Sequence, residues 1–257
     1  MVPLFQLPDK PSVLLASDLH LGVPDFKQSK EREIRFVNWM RAHQDQAAAL
    51  IILGDLFDFW FEYKHVVPKG YLHVLGELTR WRMAGIPIYL FTGNHDLWMR
   101  DYFPNELDIP VFHAPITTTL KGHPVLLAHG DGLGPGDHGF KAMKKIFTNP
   151  LAQYLFRWIH PDIGIGLANS LSRKSRYAHA ITDKVDLGEK EWLWIYAQEF
   201  SQAHPEIEWM IFGHRHFPLR KSLPNSKAEM INLGDWLHSN TYLKISEAGA
   251  DLLVWKN

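Results

Sequence analysis

Five short blocks hold the side chains able to do chemistry. They are Asp18-Leu19-His20, Gly54-Asp55 with Asp58 three positions on, Gly93-Asn94-His95-Asp96, His129-Gly130-Asp131 and Gly213-His214-Arg215-His216. Carboxylate, amide and imidazole groups suit Mn, Fe, Zn or Co in mixed nitrogen and oxygen coordination, and a chain with no cysteine has no thiolate to offer. Two such ions about 3.5 to 4 Å apart activate a water and clamp the oxygens of an in-line phosphoryl displacement. That arrangement needs one carboxylate shared between the ions. Taken singly each block is weak, because an Asp after a strand often caps the next helix and Gly-Asn or Gly-Asp pairs often make turns. Their weight comes from recurrence at comparable places.

Those places are strand ends. Residues 13–16 (VLLA), 50–53 (LIIL) and 86–92 (IPIYLFT) are apolar runs that each end in one of the blocks, as buried strands of a parallel sheet would. Between them, 29–43 reads as a helix with Ser29 as N-cap and Ile34, Val37 and Met40 on its inner face. A second helix over 71–84 carries Leu72, Leu75, Leu78 and Trp81 or Arg82. Successive β-α units of this kind predict right-handed crossovers, with ligands outside the carboxyl ends of the strands. Asp55 follows the middle strand of the three and is the first candidate for the shared carboxylate. Asp18 and His20, two apart on an extended segment, would point the same way. Further on, 116–120 and 124–128 read as a hairpin feeding His129, and 209–212, 230–233 and 252–255 as additional strands.

Composition narrows the class. The chain has 257 residues, 46% of them hydrophobic, enough for one α/β domain with a substantial core. With 27 basic against 28 acidic side chains, no broad positive field would recruit nucleic acid, which argues against a nuclease. The first residues, MVPLFQLPDKPS, lack a charged and then apolar leader, and no run of eighteen apolar residues exists, so a cytoplasmic protein without a transmembrane segment is expected.

The five blocks in this order resemble those of the calcineurin-like metallophosphoesterases, and they span residues 18 to 216. The resemblance implies a two-sheet α/β/β/α sandwich with two divalent metal ions, Mn foremost. Asp18, His20, Asp55 and His216 would hold one ion, and Asp55, Asn94, His129 and His214 the other. His95 would sit beside the substrate phosphate and stabilise or protonate the leaving oxygen, with Asp55 and Asn94 as its catalytic neighbours. Asp58 is expected to orient a ligand histidine rather than to ligate.

An insertion distinguishes this chain within that superfamily. Residues 132–186 open with Gly and Pro, carry Phe147, Leu151, Tyr154, Leu155, Trp158 and Ile159 at helical intervals, and end near a basic knot of Arg173, Lys174 and Arg176. The plain reading is a helical hairpin closing on the core. The segment also resembles the helical lid of UDP-2,3-diacylglucosamine hydrolases, which cleave a nucleotide-lipid diphosphate to UMP and 2,3-diacylglucosamine 1-phosphate in lipid A biosynthesis. That resemblance implies substrate contacts from Asp137, Ser175 and the three basic residues, joined by Asn94, His95 and His214. It also implies a peripheral position on the cytoplasmic face of the inner membrane, where an amphipathic basic segment meets its lipid. Two departures stand out: Gly-Asn-His-Asp replaces the Gly-Asn-Arg-Asp of the better-known members, and Tyr177, Ala178 and His179 follow Ser175 where polar residues are expected. The competing enzyme reading is a phosphodiesterase or pyrophosphatase for a soluble nucleotide or nucleotide-sugar. An interaction module that had lost its metals would show broken blocks, and none is broken.

Overall fold

The computed structural model describes residues 7–136, 138–168, 170 and 188–256. β1 (Ser12–Ala16), β2 (Ala47–Leu53) and β3 (Ile88–Phe91) are almost wholly buried apolar strands. Strands of that composition are covered on both faces, and the connecting helices α1 (Phe26–His43) and α2 (Leu72–Met83) supply one cover. A short helix, α3 (Tyr102–Leu107), leads to β4 (Val111–Phe112), and the four strands pair in parallel. The second sheet contains β5 (Ile116–Leu120), β6 (His123–Ala128), β7 (Trp209–Phe212), β8 (Pro218–Ser222) and β9 (Glu229–Leu233) in the order β5-β6-β7-β9-β8. The chain then returns to the first sheet, where β10 (Thr241–Ser246) and β11 (Gly249–Val254) extend it beyond β1 to give β11-β10-β1-β2-β3-β4.

Alternation within single strands builds the layers. Val13, Leu15, Ile51 and Leu53 point into a core shared with Val125, Leu127, Ile211 and Ile231 of the other sheet. Their neighbours Leu14, Ala16, Leu50 and Ile52 face Phe36, Trp39, Leu78 and Trp81 on the helices. Beyond the second sheet, Leu126, Met210 and Phe212 pack on α6 (Trp192–Ala203). The result is a helix, sheet, sheet, helix sandwich, as the resemblance implies. Each fully buried Leu or Ile in these layers contributes about 1.5 to 3 kcal/mol relative to exposure.

Several local expectations need correction. α1 is capped by Asp25, whose side chain accepts from Gln28 N, and not by Ser29, which lies inside the helix and accepts from Gly22 N at 2.7 Å. Ile34 is 43% exposed, and the buried face is formed by Phe36, Val37, Trp39 and Met40. On α2 the inner residues are Val74, Glu77, Leu78 and Trp81, while Leu72 is exposed. Glu77 tolerates that burial because Arg41 and Arg80 both donate to its carboxylate. β8 and β10 were not anticipated. PLRKS and TYLKIS are short and mix polar with apolar residues without a regular period, a weak signal until a neighbouring strand is present.

The inserted segment contributes α4 (His138–Phe147), α5 (Pro150–Phe156) and helical residues 161–168. Asn149 accepts from Leu151 N and Ala152 N, and Pro150 occupies the first turn, so the two helices are separated by a well-formed cap. One side of the segment closes on the fold. The Phe156 ring lies 4.7 Å from Phe61 and 4.9 Å from Trp98, and Trp98 Nε1 donates to the Phe147 carbonyl at 2.6 Å. The other side is open, with Ile146, Leu151, Tyr154, Leu155 and Trp158 exposed. Core closure therefore explains Phe147 and Phe156 and leaves the rest of the apolar residues without a role in it.

Candidate metal centre

All five blocks converge at the carboxyl ends of β1, β2, β3, β6 and β7. Three overlapping sets of donor atoms each lie within 4.8 Å of one another: Asp18, His20 and His216; His20, Asp55 and His95; Asp18, Asp55 and His129. Asn94 closes the far side, its Oδ1 lying 2.9 Å from His214 Nδ1 and 3.2 Å from His129 Nε2. Asp55 stands between the two groups, with Oδ2 at 3.6 Å from His20 Nε2 and 3.3 Å from His129 Nε2. Its other oxygen accepts from His95 N at 2.9 Å.

The approach needs room that only glycine leaves. A Cβ on Gly93 would fall 2.2 Å from Asp55 Oδ1, so any side chain there would displace the central carboxylate. Nor does an extended segment aim Asp18 and His20. Both have left-handed backbones, φ 55 and 45, and the turn between β1 and α1 brings His20 Nε2 to 3.7 Å from Asp18 Oδ1.

Surrounding groups fix the donors. His129 Nδ1 donates to the Leu53 carbonyl at 2.7 Å, leaving Nε2 toward Asp55 and Asn94. Asp58 Oδ1 lies 3.6 Å from Nδ1 of both His20 and His95, the place expected of an orienting carboxylate. The buried guanidinium of Arg32 on α1 donates to the carbonyls of His20 and Val23. Asp96 accepts from Gly93 N at 2.7 Å and from Phe57 N at 3.3 Å, tying two of the loops together. The sequence offered no separate signal for Arg32, whose position in a helix looks like any amphipathic basic residue. Asp96 was in plain view inside its block but had no assigned task.

Burial and mutual charge set the protonation of the cluster. Burial alone would raise Asp18, yet the imidazoles of His20 and His216 beside its Oδ1, at 3.7 and 3.5 Å, hold it well below the usual carboxylate range. Burial would lower His129, but the charge of Asp55 and the bond to it keep it protonated, pushed up to about 10. His214 and His95 go the other way. Burial, with His129 adding to it, lowers His214 to about 3, and burial lowers His95 to about 4 against the pull of Asp55. Burial beside Asp55 raises Asp96 to about 7.

Divalent ions fit this chemistry. Asp18 Oδ1 and His20 Nδ1 are buried without a hydrogen-bond partner, and several carboxylates share the pocket with imidazoles whose nitrogens converge. A proton on His129 partly offsets the same negative charge. Metal binding should expel it, so apparent affinity should rise with pH through the range below 10, where that proton is held. Calorimetric Mn titrations in buffers of differing ionisation enthalpy should show roughly one proton released. Binding heats that ignore the buffer would remove His129 from the ligand set.

Of the residues expected to meet substrate, Asn94, His95 and His214 lie in this cluster. Asp137, Arg173, Lys174, Ser175 and Arg176 lie outside the described residues.

The sequence profile of the calcineurin-like phosphoesterases matches residues 11–218, a range that holds every block of the centre. The chain belongs to that family, and it is a metal-dependent hydrolase. Among its relatives, the UDP-2,3-diacylglucosamine hydrolase of Porphyromonas gingivalis is 37% identical over 90% of this chain and 92% of its own length. The protein of the same name from Yersinia pseudotuberculosis is 28% identical over 95% of this chain and 99% of its own.

Proposed function

We propose that the chain hydrolyses the diphosphate of UDP-2,3-diacylglucosamine to UMP and 2,3-diacylglucosamine 1-phosphate, acting as a single metallophosphoesterase domain with residues 132–186 as its lid. The observation that carries this reading is the two-faced inserted segment, whose apolar side is exposed while its inner side joins the fold next to the buried Asp and His cluster, Lys144 reaching Asp131. A water-soluble nucleotide needs no such surface, whereas a diacylated one brings acyl chains that must leave water. The names of the relatives point the same way.

Asp18, His20, Asp55 and His216 would hold one divalent ion and Asp55, Asn94, His129 and His214 the other, with Mn the expected ion and Fe, Zn or Co compatible. When bound, the ions supply an activated water and polarise the phosphoryl oxygens. The protein supplies the frame: Asp55 shared between the groups, His129 with Nδ1 tied to Leu53, and His95 anchored through Nδ1, which donates to the Asp58 carbonyl at 3.2 Å. With Nδ1 so engaged, Nε2 is the ring nitrogen that faces the phosphoryl group, and it acts on the leaving oxygen once the anionic phosphate has drawn a proton to it. No helix among the described residues is long and apolar enough to cross a membrane. The exposed face of the lid, with Lys145 beside its apolar residues, is the part that would rest on an anionic bilayer, whereas Lys141 and Lys144 turn inward to the Gly134 carbonyl and Asp131.

The test compares UDP-2,3-diacylglucosamine with soluble nucleotide diphosphates on metal-stripped and Mn-restored protein in ¹⁸O-water. Cleavage of the lipid substrate with label in UMP is expected. Label in the lipid phosphate would reverse the assignment of the attacked phosphorus, and turnover of soluble nucleotides alone would establish the competing reading.

The lid gives a second prediction. Replacing residues 139–184 by a short Gly/Ser linker leaves every candidate ligand in place, so hydrolysis of a small chromogenic phosphodiester should persist while turnover of the diacylated substrate collapses. Equal loss of both activities would mean that the segment is structural core.

A further inference from the structure

Between the two imidazoles of the Gly213-His214-Arg215-His216 block sits a cation that metal ligation does not explain. Arg215 is 6% exposed, and its Nη2 lies 3.1 Å from Oε2 of Glu191, which is 2% exposed. Glu191 occupies the N-cap position of α6, yet its side chain makes no capping bond. Its carboxylate is directed at the guanidinium instead. From the other side, Asn232 in β9 donates to the carbonyls of Arg215 at 2.6 Å and Phe217 at 2.7 Å, and the guanidinium lies 5.5 Å from the Phe217 ring centroid. The turn that carries His214 and His216 is thus clamped by Asn232 in the sheet and by Glu191 on the helix.

Glu191 also stands where the inserted segment rejoins the fold. The next residue, Trp192, packs against the turn that opens the segment so closely that a Cβ on Gly134 would fall 2.3 Å from the Trp192 carbonyl oxygen. Lys141 of α4 donates to the Gly134 carbonyl at 2.5 Å. The two roots of the lid therefore touch, and Glu191 adjoins their contact. A buried ion pair contributes little stability over apolar side chains of equal volume, but a planar guanidinium held by a carboxylate fixes direction.

We propose that Glu191 is a positioning residue, its ion pair with Arg215 tying the His214–His216 turn to the roots of the lid so that both imidazoles stay aimed at the metal positions. The inference rests on the reading of His214 and His216 as ligands. It joins the contact between the two roots of the lid to the turn that carries both imidazoles.

The experiment uses the full chain with Glu191→Leu and Arg215→Met combined, which removes both buried charges together and so avoids the penalty of leaving one unpaired. Thermal unfolding, Mn calorimetry on metal-stripped protein and hydrolysis of bis-p-nitrophenyl phosphate are measured side by side. Near-wild-type unfolding with Mn affinity weakened about 10- to 100-fold, and with kcat lowered more than KM is changed, is expected. Wild-type affinity and kcat in the double variant would overturn the inference and leave the metal centre standing. Should the double variant fail to fold, Glu191→Asp keeps both charges and shortens the arm: weaker Mn binding at unchanged stability supports positioning, and unchanged binding overturns it. A wild-type protein that takes up no Mn would overturn the metal-centre reading and this inference with it.

Discussion

Asp55→Asn is expected to abolish turnover and to lower the occupancy of both metal positions. Asp55 Oδ2 lies 3.6 Å from His20 Nε2 and 3.3 Å from His129 Nε2, so one oxygen serves the two halves of the centre. An amide cannot supply the shared negative charge, and it also removes the charge that holds the proton on His129. The substitution is otherwise mild. Asp55 has φ 51, and asparagine tolerates that left-handed backbone, so the turn should keep its shape. Turnover should fall below about one-thousandth of the wild-type value, the scale on which losing a principal electrostatic group acts. Metal content and rate are to be measured on the same samples. Two tightly held ions with near-normal activity would displace Asp55 from the centre of the mechanism.

His95→Ala should separate chemistry from metal binding. The ring is anchored through Nδ1 to the Asp58 carbonyl and stands edge-on to His20, with 4.8 Å between ring centroids. Burial lowers its pKa to about 4, so it is neutral at pH 7. A group folded neutral and unfolded with a pKa near 6.5 stabilises the fold above that value, and the contribution is lost as pH falls toward 4. The alanine variant should therefore lose less stability on acidification than the wild type. Its rate should drop about 10²- to 10⁴-fold while both ions remain. Because a ring nitrogen of His95 also lies within 4.8 Å of donor atoms of His20 and Asp55, loss of metal would instead make it a ligand.

The strands that deliver the blocks were legible because they are buried on both faces, and an unbroken apolar run such as residues 50–53 needs no partner to be recognised. The hairpin of β5 and β6 and the strand β7 were also legible to within a residue. What it hid depended on neighbours. α1 starts at Phe26, a residue 82% exposed and followed by Lys27 and Gln28, so the start lies off the periodic apolar face and its cap falls earlier than expected. The inner face of α2 includes Glu77, which only the arginines on two helices make tolerable. Of the site, the donor types and their order were readable and their aim was not, since the turns after β1 and β2 take left-handed backbone that residue spacing does not reveal. Arg32 and the Glu191–Arg215 pair act across elements far apart in sequence, where spacing carries no information.

The turns after β1, β2 and β7 have a cost that falls on the candidate donors themselves. Asp18, His20, Asp55 and His214 all have positive φ, between 45 and 67, and none is glycine. Left-handed backbone at such residues costs of order 1 to 3 kcal/mol apiece. Selection for thermal robustness alone would drift toward glycine at these positions, relaxing the turns and emptying the centre of its donors. Thermostability and catalysis thus compete for the same few residues, and a hardier version of this protein has to draw its gains from the helices and sheets that hold those turns in place.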